Sequence, residues 1–395
     1  MLDRVYAKDL LAKLASFPVV TVLGARQCGK TTLVREALKD WSYFDMERPS
    51  HRTAFEEDPE GRLREVGQRV VLDEAQQVPG LFPVLRSFVD ERRQQMGQYV
   101  LLGSASPSLV RSISETLAGR TAFVEMTPFL WSEVAAVVPG VRAGDLWLRG
   151  GFPDAFLARD DAVRHDWLEG YARTFIERDL SSLGIEVSPA LMRRLWTMLA
   201  HVNGGFWNAS SIASSLGVSY HTVNRYVEIL EQTFLVRRLP PYHANIGKRL
   251  VKSPKLLFRD TGLLHYFLGI HCQEELSVRP ERGASWEAFI CEQLITLSAL
   301  RRPGTQAWCW RTSAGAEVDL LLDGPGGLVP VEVKLHSAPG TDAVRGLRAC
   351  MGDLGLKRGV VVSGGQESYA LADGVRVMPA GEALGNVERI HGSHD

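Results

Sequence analysis

The chain has 395 residues, of which 45% are hydrophobic and 23% are charged, and its formal net charge is −1. This composition is typical of a folded, water-soluble protein and excludes a disordered chain or a coiled coil. One hydrophobic core seldom grows beyond roughly 250 residues, so the length predicts several domains.

The cysteines do not indicate a disulfide framework or a zinc site, and the apolar stretches do not indicate a membrane helix. None of the five cysteines has the CxxC or CxxH spacing of such sites. The uncharged apolar run from Phe17 to Ala25 is among the longest, and it is far shorter than the ~20 residues that cross a bilayer. Because the first residues are charged and form no signal-peptide pattern, we expect a cytoplasmic protein without a membrane segment.

A phosphate-binding loop follows the first predicted strand. The apolar run over 18–23 predicts a buried parallel strand, and it leads into a glycine-rich loop at 24–31 and then a helix over 32–39. The glycines let backbone N–H groups surround phosphates, Lys30 reaches the terminal phosphates, and the Thr31 hydroxyl can ligate Mg²⁺. The pattern therefore predicts ATP and Mg²⁺ as cofactors. The predicted nucleotide-binding residues are Gly24, Ala25, Arg26, Gln27, Cys28, Gly29, Lys30, Thr31 and Thr32.

Acidic and small polar residues follow two further predicted strands. The strand at 69–72 ends in Asp73 and Glu74, a pattern in which one carboxylate holds Mg²⁺ and the next orients or deprotonates the attacking water. We assign Asp73 to the metal and Glu74 to the water, although an acidic pair after a strand can also simply begin a helix. The strand at 99–102 leads to Ser104, which we expect to sense the γ-phosphate at the carboxyl edge of the sheet.

With these motifs the sequence resembles the AAA+ ATPases. More narrowly, it resembles a bacterial and archaeal family that joins an AAA-type ATPase domain to a C-terminal region of unassigned function. The resemblance covers nearly the whole chain and rests also on the segments at 114–120, 150–153 and 175–179. It implies an oligomeric ATPase, usually a hexameric ring, whose sites lie between subunits.

The resemblance gives two further residues a role. In AAA+ proteins an arginine just before the last core strand, here at 121–126, commonly reaches the neighbour's γ-phosphate. We predict Arg120 as this arginine finger, with Arg111 as the fallback; the alternative is a surface arginine paired with Glu115. The Gly-Gly-Phe-Pro segment that ends at Pro153 resembles the lid motif that contacts adenine, though a proline at the first position of a helix explains it nearly as well.

A basic region with a helix-turn-helix pattern lies in the middle of the chain. Residues 190–270 carry ten Lys or Arg and three Asp or Glu, a local net charge of +7. Helices are expected on either side of Gly217, with Ser219 capping the second one, and a wing-like strand is expected at 234–239. A charge run can be an ordinary solvated face, or it can attract a polyanion. Winged helices also serve as protein-interaction modules.

If this region binds DNA, two sets of residues would contact it. The outward side chains of the second helix would meet bases or phosphates, and basic residues after the wing-like strand would meet phosphates. The predicted DNA-binding residues are Tyr220, His221, Asn224, Arg225, Lys248, Arg249, Lys252 and Lys255.

The last part of the chain predicts a second α/β region with a group of charged residues. Asp319 lies on one predicted strand, and Glu332 and Lys334 share a face of the next. Two carboxylates and a lysine can act with Mg²⁺ on a phosphodiester. The pattern resembles the restriction-endonuclease-like superfamily, with Glu287 at its helical acidic position, although no Pro-Asp dipeptide precedes Asp319. An ordinary exposed hairpin is the alternative.

The predicted fold class is α/β, with a P-loop AAA+ core at 1–128, a helical lid at 129–185, a winged-helix-like region at 186–272 and a nuclease-like α/β domain at 273–395. The predicted function is that of an ATP-hydrolysing, hexameric motor or remodeller acting on duplex or branched DNA, such as a Holliday junction. Two alternatives stay open. One is an ATP-regulated, Mg²⁺-dependent DNA nuclease, and the other is a nucleotide-dependent signalling switch that binds a protein partner.

Overall fold

The structure is a computed structural model, and it describes residues 3–104, 113, 115–182, 185, 187–242 and 250–392, without the side chains at 104, 182 and 342. The backbone forms two compact units. The first unit comprises Met1–Phe129, Leu180–Ile185 and Gln232–Phe234, and the second comprises Leu130–Asp179, Glu186–Glu231 and Leu235–Asp395. The division of the later residues into a lid, a winged helix and a nuclease-like domain stays a prediction.

A parallel five-stranded sheet forms the centre of the first unit, in the order β2-β3-β4-β1-β5. Strands β1 and β3 are buried along their whole length, as expected for a parallel sheet with helices on both faces. The strands are β1 (Val19–Gly24), β2 (Ser42–Asp45), β3 (Val70–Asp73), β4 (Tyr99–Ser104) and β5 (Thr121–Met126). The helices are α1 (Tyr6–Leu14), α2 (Lys30–Ala37), α3 (Pro49–Glu57), α4 (Pro59–Val66) and α5 (Leu81–Glu91), with a 3₁₀ turn at Ala75–Gln77.

The strand order brings the candidate site together. Strand β4 lies between β1 and β3, and Gly24 is in register with the last residue of β4. The carboxyl ends of β1, β3 and β4 therefore meet at one edge of the sheet, which is where open α/β sheets bind ligands.

The first part of the second unit is helical. Its helices are α6 (Trp131–Ala135), α7 (Ala143–Arg149), α8 (Pro153–Phe156), α9 (Asp161–Thr174), α11 (Pro189–His201), α12 (Ala209–Leu216), α13 (Tyr220–Gln232), α14 (Thr261–Phe267) and α15 (Gln273–Val278), with a π-helical turn at Phe175–Asp179. The short helix α10 (Leu180–Ser182) belongs to the first unit. Within the described ranges, no helix combines the length and the apolar character needed to cross a bilayer.

Helices α12 and α13 form with the turn and the cap that the sequence predicts. Gly217 ends α12 with φ at +70°, a conformation that favours glycine. The Ser219 hydroxyl accepts a hydrogen bond from the Thr222 N–H at 3.0 Å. Val223 and Val227 are fully buried on the inner face of α13. An antiparallel pair follows, made of β6 (Val236–Leu239) and β7 (Lys255–Phe258).

A mixed six-stranded sheet forms the last part of the second unit, in the order β12-β13-β11-β10-β9-β8. Strands β9 and β10 are antiparallel, and the pairing of Leu320 with Val331 brings Asp319 and Glu332 to the next position of the ladder. The strands are β8 (Gln306–Arg311), β9 (Glu317–Gly324), β10 (Gly327–Lys334), β11 (Gly359–Ser363), β12 (Tyr369–Ala372) and β13 (Val375–Pro379). The helices are α16 (Arg282–Arg301), α17 (Arg345–Leu354), α18 (Ala380–Gly385) and α19 (Glu388–His391), with a 3₁₀ turn at Thr341–Val344.

Candidate functional site

The loop between β1 and α2 needs glycine at both ends. A Cβ atom at Gly24 would lie 2.2 Å from the carbonyl oxygen of Met126, a distance that no side chain tolerates. Gly29 has φ at +99° and caps the N-terminus of α2. Arg4 supports the loop from the N-terminal segment, since its guanidinium donates to the carbonyl oxygens of Cys28 at 2.8 Å and Thr127 at 2.7 Å. No sequence motif indicated this role of Arg4.

Lys30 is the first residue of α2, two residues before the predicted helix start. Its side chain is buried, with 6% of its surface exposed. The ammonium donates to the carbonyl oxygens of Gly24 at 3.0 Å and Ala25 at 2.9 Å. Neutral carbonyls do not cancel its charge, so this buried ammonium fits an anionic ligand such as a phosphate group.

Asp73 joins three elements of the sheet edge. Its Oδ2 atom accepts hydrogen bonds from the Thr31 hydroxyl at 2.8 Å and from the Tyr43 hydroxyl, while Oδ1 accepts from the Glu74 N–H at 3.0 Å. The structure thus brings together the two oxygen donors that the sequence assigned to Mg²⁺, and hard oxygen donors suit this ion. Sequence reasoning missed Tyr43, which ends up beside Asp73 because β2 pairs with β3.

Glu74 adopts a left-handed backbone conformation, with φ at +52°. Such a conformation is uncommon for a residue with a side chain and is often retained at functional sites. The Gln76 amide donates to one carboxylate oxygen. Burial raises the pKa of Glu74 above its usual value, against the opposing effect of the Lys30 charge. A carboxylate with a raised pKa is a stronger base, which suits the assigned role of activating water.

Arg120 forms an ion pair within the chain, with a partner other than the one considered from sequence. Its guanidinium donates to both carboxylate oxygens of Asp90, at 2.7 and 2.8 Å, and to the carbonyl oxygen of Ala118. An arginine finger would have to leave this pair to reach a neighbouring subunit. The Ser104 side chain and the fallback Arg111 lie outside the described residues.

The segment that ends at Pro153 has a packing role in the second unit. Pro153 occupies the first turn of α8, as the alternative explanation required. A Cβ atom at Gly150 would lie 2.6 Å from the Asp260 carboxylate and 2.7 Å from Gly262. The Asp260 carboxylate accepts a hydrogen bond from the Gly151 N–H at 2.7 Å. Close backbone packing thus explains the glycine at position 150, and the adenine contact of Pro153 stays a prediction.

Three of the four residues assigned to the outer face of α13 are exposed. These are Tyr220, His221 and Arg225. Asn224 is half-buried, and its side-chain oxygen accepts a hydrogen bond from the Trp207 indole at 3.0 Å, so it is less available to a ligand.

Part of the positive charge of the basic region at 190–270 is neutralised by acidic residues of the second unit. Arg237 and Arg259 both pair with Glu292, at 2.5 and 3.2 Å, and Arg238 pairs with Glu231 at 2.6 Å. Lys252 is exposed, whereas Lys248 and Arg249 lie outside the described residues. The local excess of positive charge therefore overstates what is available to a polyanion.

The assignment of Lys255 to DNA binding is wrong. Only 1% of its side chain is exposed, because it begins the buried strand β7. Its ammonium contacts the carboxylates of Glu287, Glu317 at 3.0 Å and Asp319 at 3.1 Å. Lys255 therefore belongs to the group of charged residues assigned to a nuclease-like site.

The carboxylate cluster, as we name Glu287, Glu317, Asp319 and Glu332, gathers acidic residues from α16, β9 and β10 around Lys255. Asp319 also accepts a hydrogen bond from the Val333 N–H at 2.9 Å, and Lys334 pairs with Glu332 at 2.6 Å. The structure thus brings together the four residues that the sequence grouped, and it adds Glu317 and Lys255. Glu317 could have been found, since it lies two residues before Asp319 on the same strand face.

Burial dominates the electrostatics of the carboxylate cluster. Burial, and next the negative charge of Asp319, raise the pKa of Glu287 and that of Glu332 to about 8 each. The surrounding carboxylates raise the pKa of Lys255 well above its usual value, overcoming the opposite effect of burial. Across the described residues, no group of three or more His, Cys, Asp or Glu is arranged to hold a metal ion. The metal chemistry predicted for this cluster stays a prediction.

The loop, the buried lysine and the paired acidic residues at the edge of a parallel sheet define a P-loop nucleotide-binding domain of the AAA class. A family model described as an AAA domain matches residues 16–135, and models described as domains of unknown function match 142–274 and 282–383. An uncharacterized protein of Mycobacterium tuberculosis is 42% identical over 378 residues, which cover 94% of this chain and 83% of that protein. An uncharacterized protein of Mycobacterium bovis gives the same values. The chain belongs to this family, in which an AAA-type ATPase domain precedes C-terminal domains of unknown function.

The solved structures to which this chain is similar include a Walker-type ATPase of Pyrococcus abyssi. It is 17% identical, with 68% of this chain and 96% of that chain covered and a TM-score of 0.48. The RuvB Holliday junction branch migration motor of Thermotoga maritima is 18% identical, with coverages of 60% and 90% and a TM-score of 0.29. The α/β P-loop fold predicted from the sequence is confirmed.

The raised pKa values of Glu287 and Glu332 predict a pH dependence of stability. Between pH 4.5 and about 8 the folded state keeps protons that the unfolded state loses, so the free energy of unfolding should fall as the pH rises through this window. The double variant Glu287→Gln, Glu332→Gln should show a shallower fall, because glutamine mimics the protonated side chain. Urea unfolding can be followed by tryptophan fluorescence, since eight of the nine tryptophans lie in the second unit. The exposed Glu57→Gln serves as the control, and equal slopes in all three proteins would contradict the assignment.

Proposed function

We propose that this chain hydrolyses ATP at the P-loop of its first unit and that, as an oligomer, it uses this cycle to remodel or translocate on duplex or branched DNA. The observation that carries the ATPase part is the arrangement at one sheet edge of a buried ammonium, a hydroxyl–carboxylate pair and a second carboxylate. These belong to Lys30, to Thr31 and Asp73, and to Glu74. Phosphoryl transfer needs little more from a protein than positioning and charge stabilisation.

Each residue of this site has a distinct task. Lys30 binds the terminal phosphates, and Glu74 orients the attacking water or takes its proton. Thr31 and Asp73 would hold Mg²⁺, which when bound neutralises charge on the phosphate oxygens. Tyr43 orients the Asp73 carboxylate through its hydrogen bond.

Substitutions of Lys30 and Glu74 should impair different steps of ATP hydrolysis. Lys30→Ala should lose tight ATP binding, because the phosphate charge then lacks its buried counter-charge. Glu74→Gln should keep ATP binding but lower turnover by roughly 10²- to 10⁴-fold, because only the water-activating group is lost. Binding of a fluorescent ATP analogue and release of phosphate measure the two effects, with Glu57→Gln as the control. Full turnover in Glu74→Gln would remove the assignment.

The oligomeric part of the proposal depends on Arg120 acting on a neighbouring subunit. We expect Arg120→Ala to lower turnover on the order of 10³-fold while ATP binding is preserved. Asp90→Asn breaks the same intramolecular ion pair but leaves the arginine available, so it should keep or raise turnover. If the pair were only structural, both variants would lose activity and stability alike.

Subunit mixing provides the second test of this shared site. Arg120→Ala protein combined with Lys30→Ala protein should regain part of the activity, because some interfaces then combine an intact loop with an intact arginine. Absence of rescue at every mixing ratio would count against a site between subunits, and light scattering gives the number of subunits, which we expect to be six.

The DNA part of the proposal is supported by exposed side chains of α13, where Tyr220 is 51% exposed and Arg225 is also exposed. Phosphate contacts release counterions, so binding should weaken steeply with salt. The double variant Arg225→Ala, Lys252→Ala should bind duplex DNA more weakly and reduce the slope of log K against log salt by about 2. Fluorescence anisotropy measures both quantities, with exposed Lys357→Ala as the control. An unchanged slope would remove these residues from the interface.

A nucleotide-dependent switch that binds a protein partner is the second candidate. It is favoured by the ion pairs of Arg237, Arg238 and Arg259, which leave fewer cations for DNA than the sequence suggested. ATP turnover with single-stranded, duplex and four-way-junction DNA separates the two candidates. Stimulation by any of these DNAs supports the remodeller, whereas equal rates with all of them support the switch.

A further inference from the structure

The carboxylate cluster already contains a cation. Lys255 extends from the start of β7 into the space between α16 and β9, and its ammonium contacts three carboxylates, those of Glu287, Glu317 and Asp319. An ammonium removed from water is costly unless charged partners surround it. Three carboxylates meet this requirement, and they come from elements that lie far apart in the sequence.

Glu332 provides an independent indication that the cluster is built around a cation. Its side chain is only 7% exposed, and its Oε1 atom pairs with Lys334 at 2.6 Å. Its Oε2 atom is buried and accepts no hydrogen bond from any residue that the structure describes. The charges of Asp319 and Lys255 both act on this carboxylate. A buried carboxylate oxygen without a donor is costly, and a cation is the partner that would remove this cost.

The charge balance of the cluster is negative without Lys255. Four carboxylates face Lys255 and Lys334, and Arg311 approaches Glu317 at 3.6 Å from the exposed side. If the Lys255 charge were absent, the buried carboxylates would lack their central counter-charge. A set of carboxylate oxygens from one helix and two strands is the kind of donor set that Mg²⁺ and Mn²⁺ prefer.

We propose that the Lys255 ammonium occupies the position of a divalent cation in this carboxylate cluster, so that the native chain holds a latent metal site closed by its own lysine. Three acidic side chains already accept the ammonium as their partner, so a metal ion could bind only by displacing it. Lys255 thereby fixes β7, β9 and α16 to one another without a metal. This proposal does not depend on ATP hydrolysis, and it argues against Mg²⁺-dependent DNA cleavage by the native chain.

The experiment removes the charge of Lys255 and keeps its volume. Lys255→Met is a close match in shape and places no charge among the carboxylates. Full-length protein without nucleotide is titrated with MnCl₂ by isothermal titration calorimetry, and its melting temperature is recorded with and without Mn²⁺. We expect Lys255→Met to bind one Mn²⁺ per chain at least about tenfold more tightly than the native chain, and only the variant to melt at a higher temperature with Mn²⁺.

Two further variants keep the test decisive. The triple change Lys255→Met, Asp319→Asn, Glu332→Gln should abolish the new Mn²⁺ site, which places the ion in the cluster. If Lys255→Met does not fold without metal, Lys255→Met, Glu287→Gln removes the buried ammonium together with one of its acidic partners and leaves three acidic side chains. This double variant should fold, as judged by circular dichroism, and bind Mn²⁺.

Three results would overturn the proposal. The first is a folded Lys255→Met or Lys255→Met, Glu287→Gln protein that binds Mn²⁺ no more tightly than the native chain. The second is failure of both variants to fold even with Mn²⁺ present, which would make Lys255 irreplaceable by a metal. The third is nicking of supercoiled plasmid by the native chain in Mg²⁺ or Mn²⁺ that disappears in Asp319→Ala, since it would mean that a metal binds with Lys255 in place.

Discussion

Burial of a positive charge is the constraint on which both candidate sites depend. Lys30 and Lys255 are each removed from solvent, and a buried positive charge is costly unless a partner compensates it. Lys30 is held by two neutral carbonyl oxygens of its own loop, so its charge is still available to an incoming anion. Lys255 is held by three carboxylates, so its charge is already satisfied. The partners, and not the residue type, decide which lysine forms a binding site.

The same constraint applies to the arginines of the basic region at 190–270. A basic run attracts a polyanion only through charges that are not already paired within the protein. Glu231 and Glu292 pair with Arg237, Arg238 and Arg259, and thereby use much of the local positive charge. Any DNA interface of the second unit must then rely on a few exposed groups of α13 and on the segment that contains Lys252. A small interface of this kind is consistent with binding that depends on the shape and charge of DNA and has little specificity for the base sequence.

Sequence reasoning succeeded where the structure is determined locally. The strand at 121–126 has the predicted bounds, and the loop from Gly24 to Thr31 has the predicted strand before it and helix after it. The sequence did not indicate the partners of Lys255 and Arg120, which are distant in the chain and belong to no motif that contains these two residues. Lys255 is separated from Asp319 by 64 residues, and Arg120 from Asp90 by 30. The sequence shows that Lys255 is basic, but only its position beside β9 in the folded chain shows which charges surround it.

The contrast between local and distant determinants also bears on the segment from Gly150 to Pro153. Its resemblance to a nucleotide-contacting motif rests on residue types, yet Gly150 has a sufficient reason to be glycine within the second unit. Gly150 must lie against Gly262, and the Gly151 N–H satisfies the buried Asp260 carboxylate. A substitution at Gly150 would disturb this packing whether or not adenine is bound nearby. Pro153 lies in the first turn of α8, a position that accepts proline and many other residues. A substitution of Pro153, unlike one of Gly150, would therefore test a nucleotide contact of this motif without disturbing its packing.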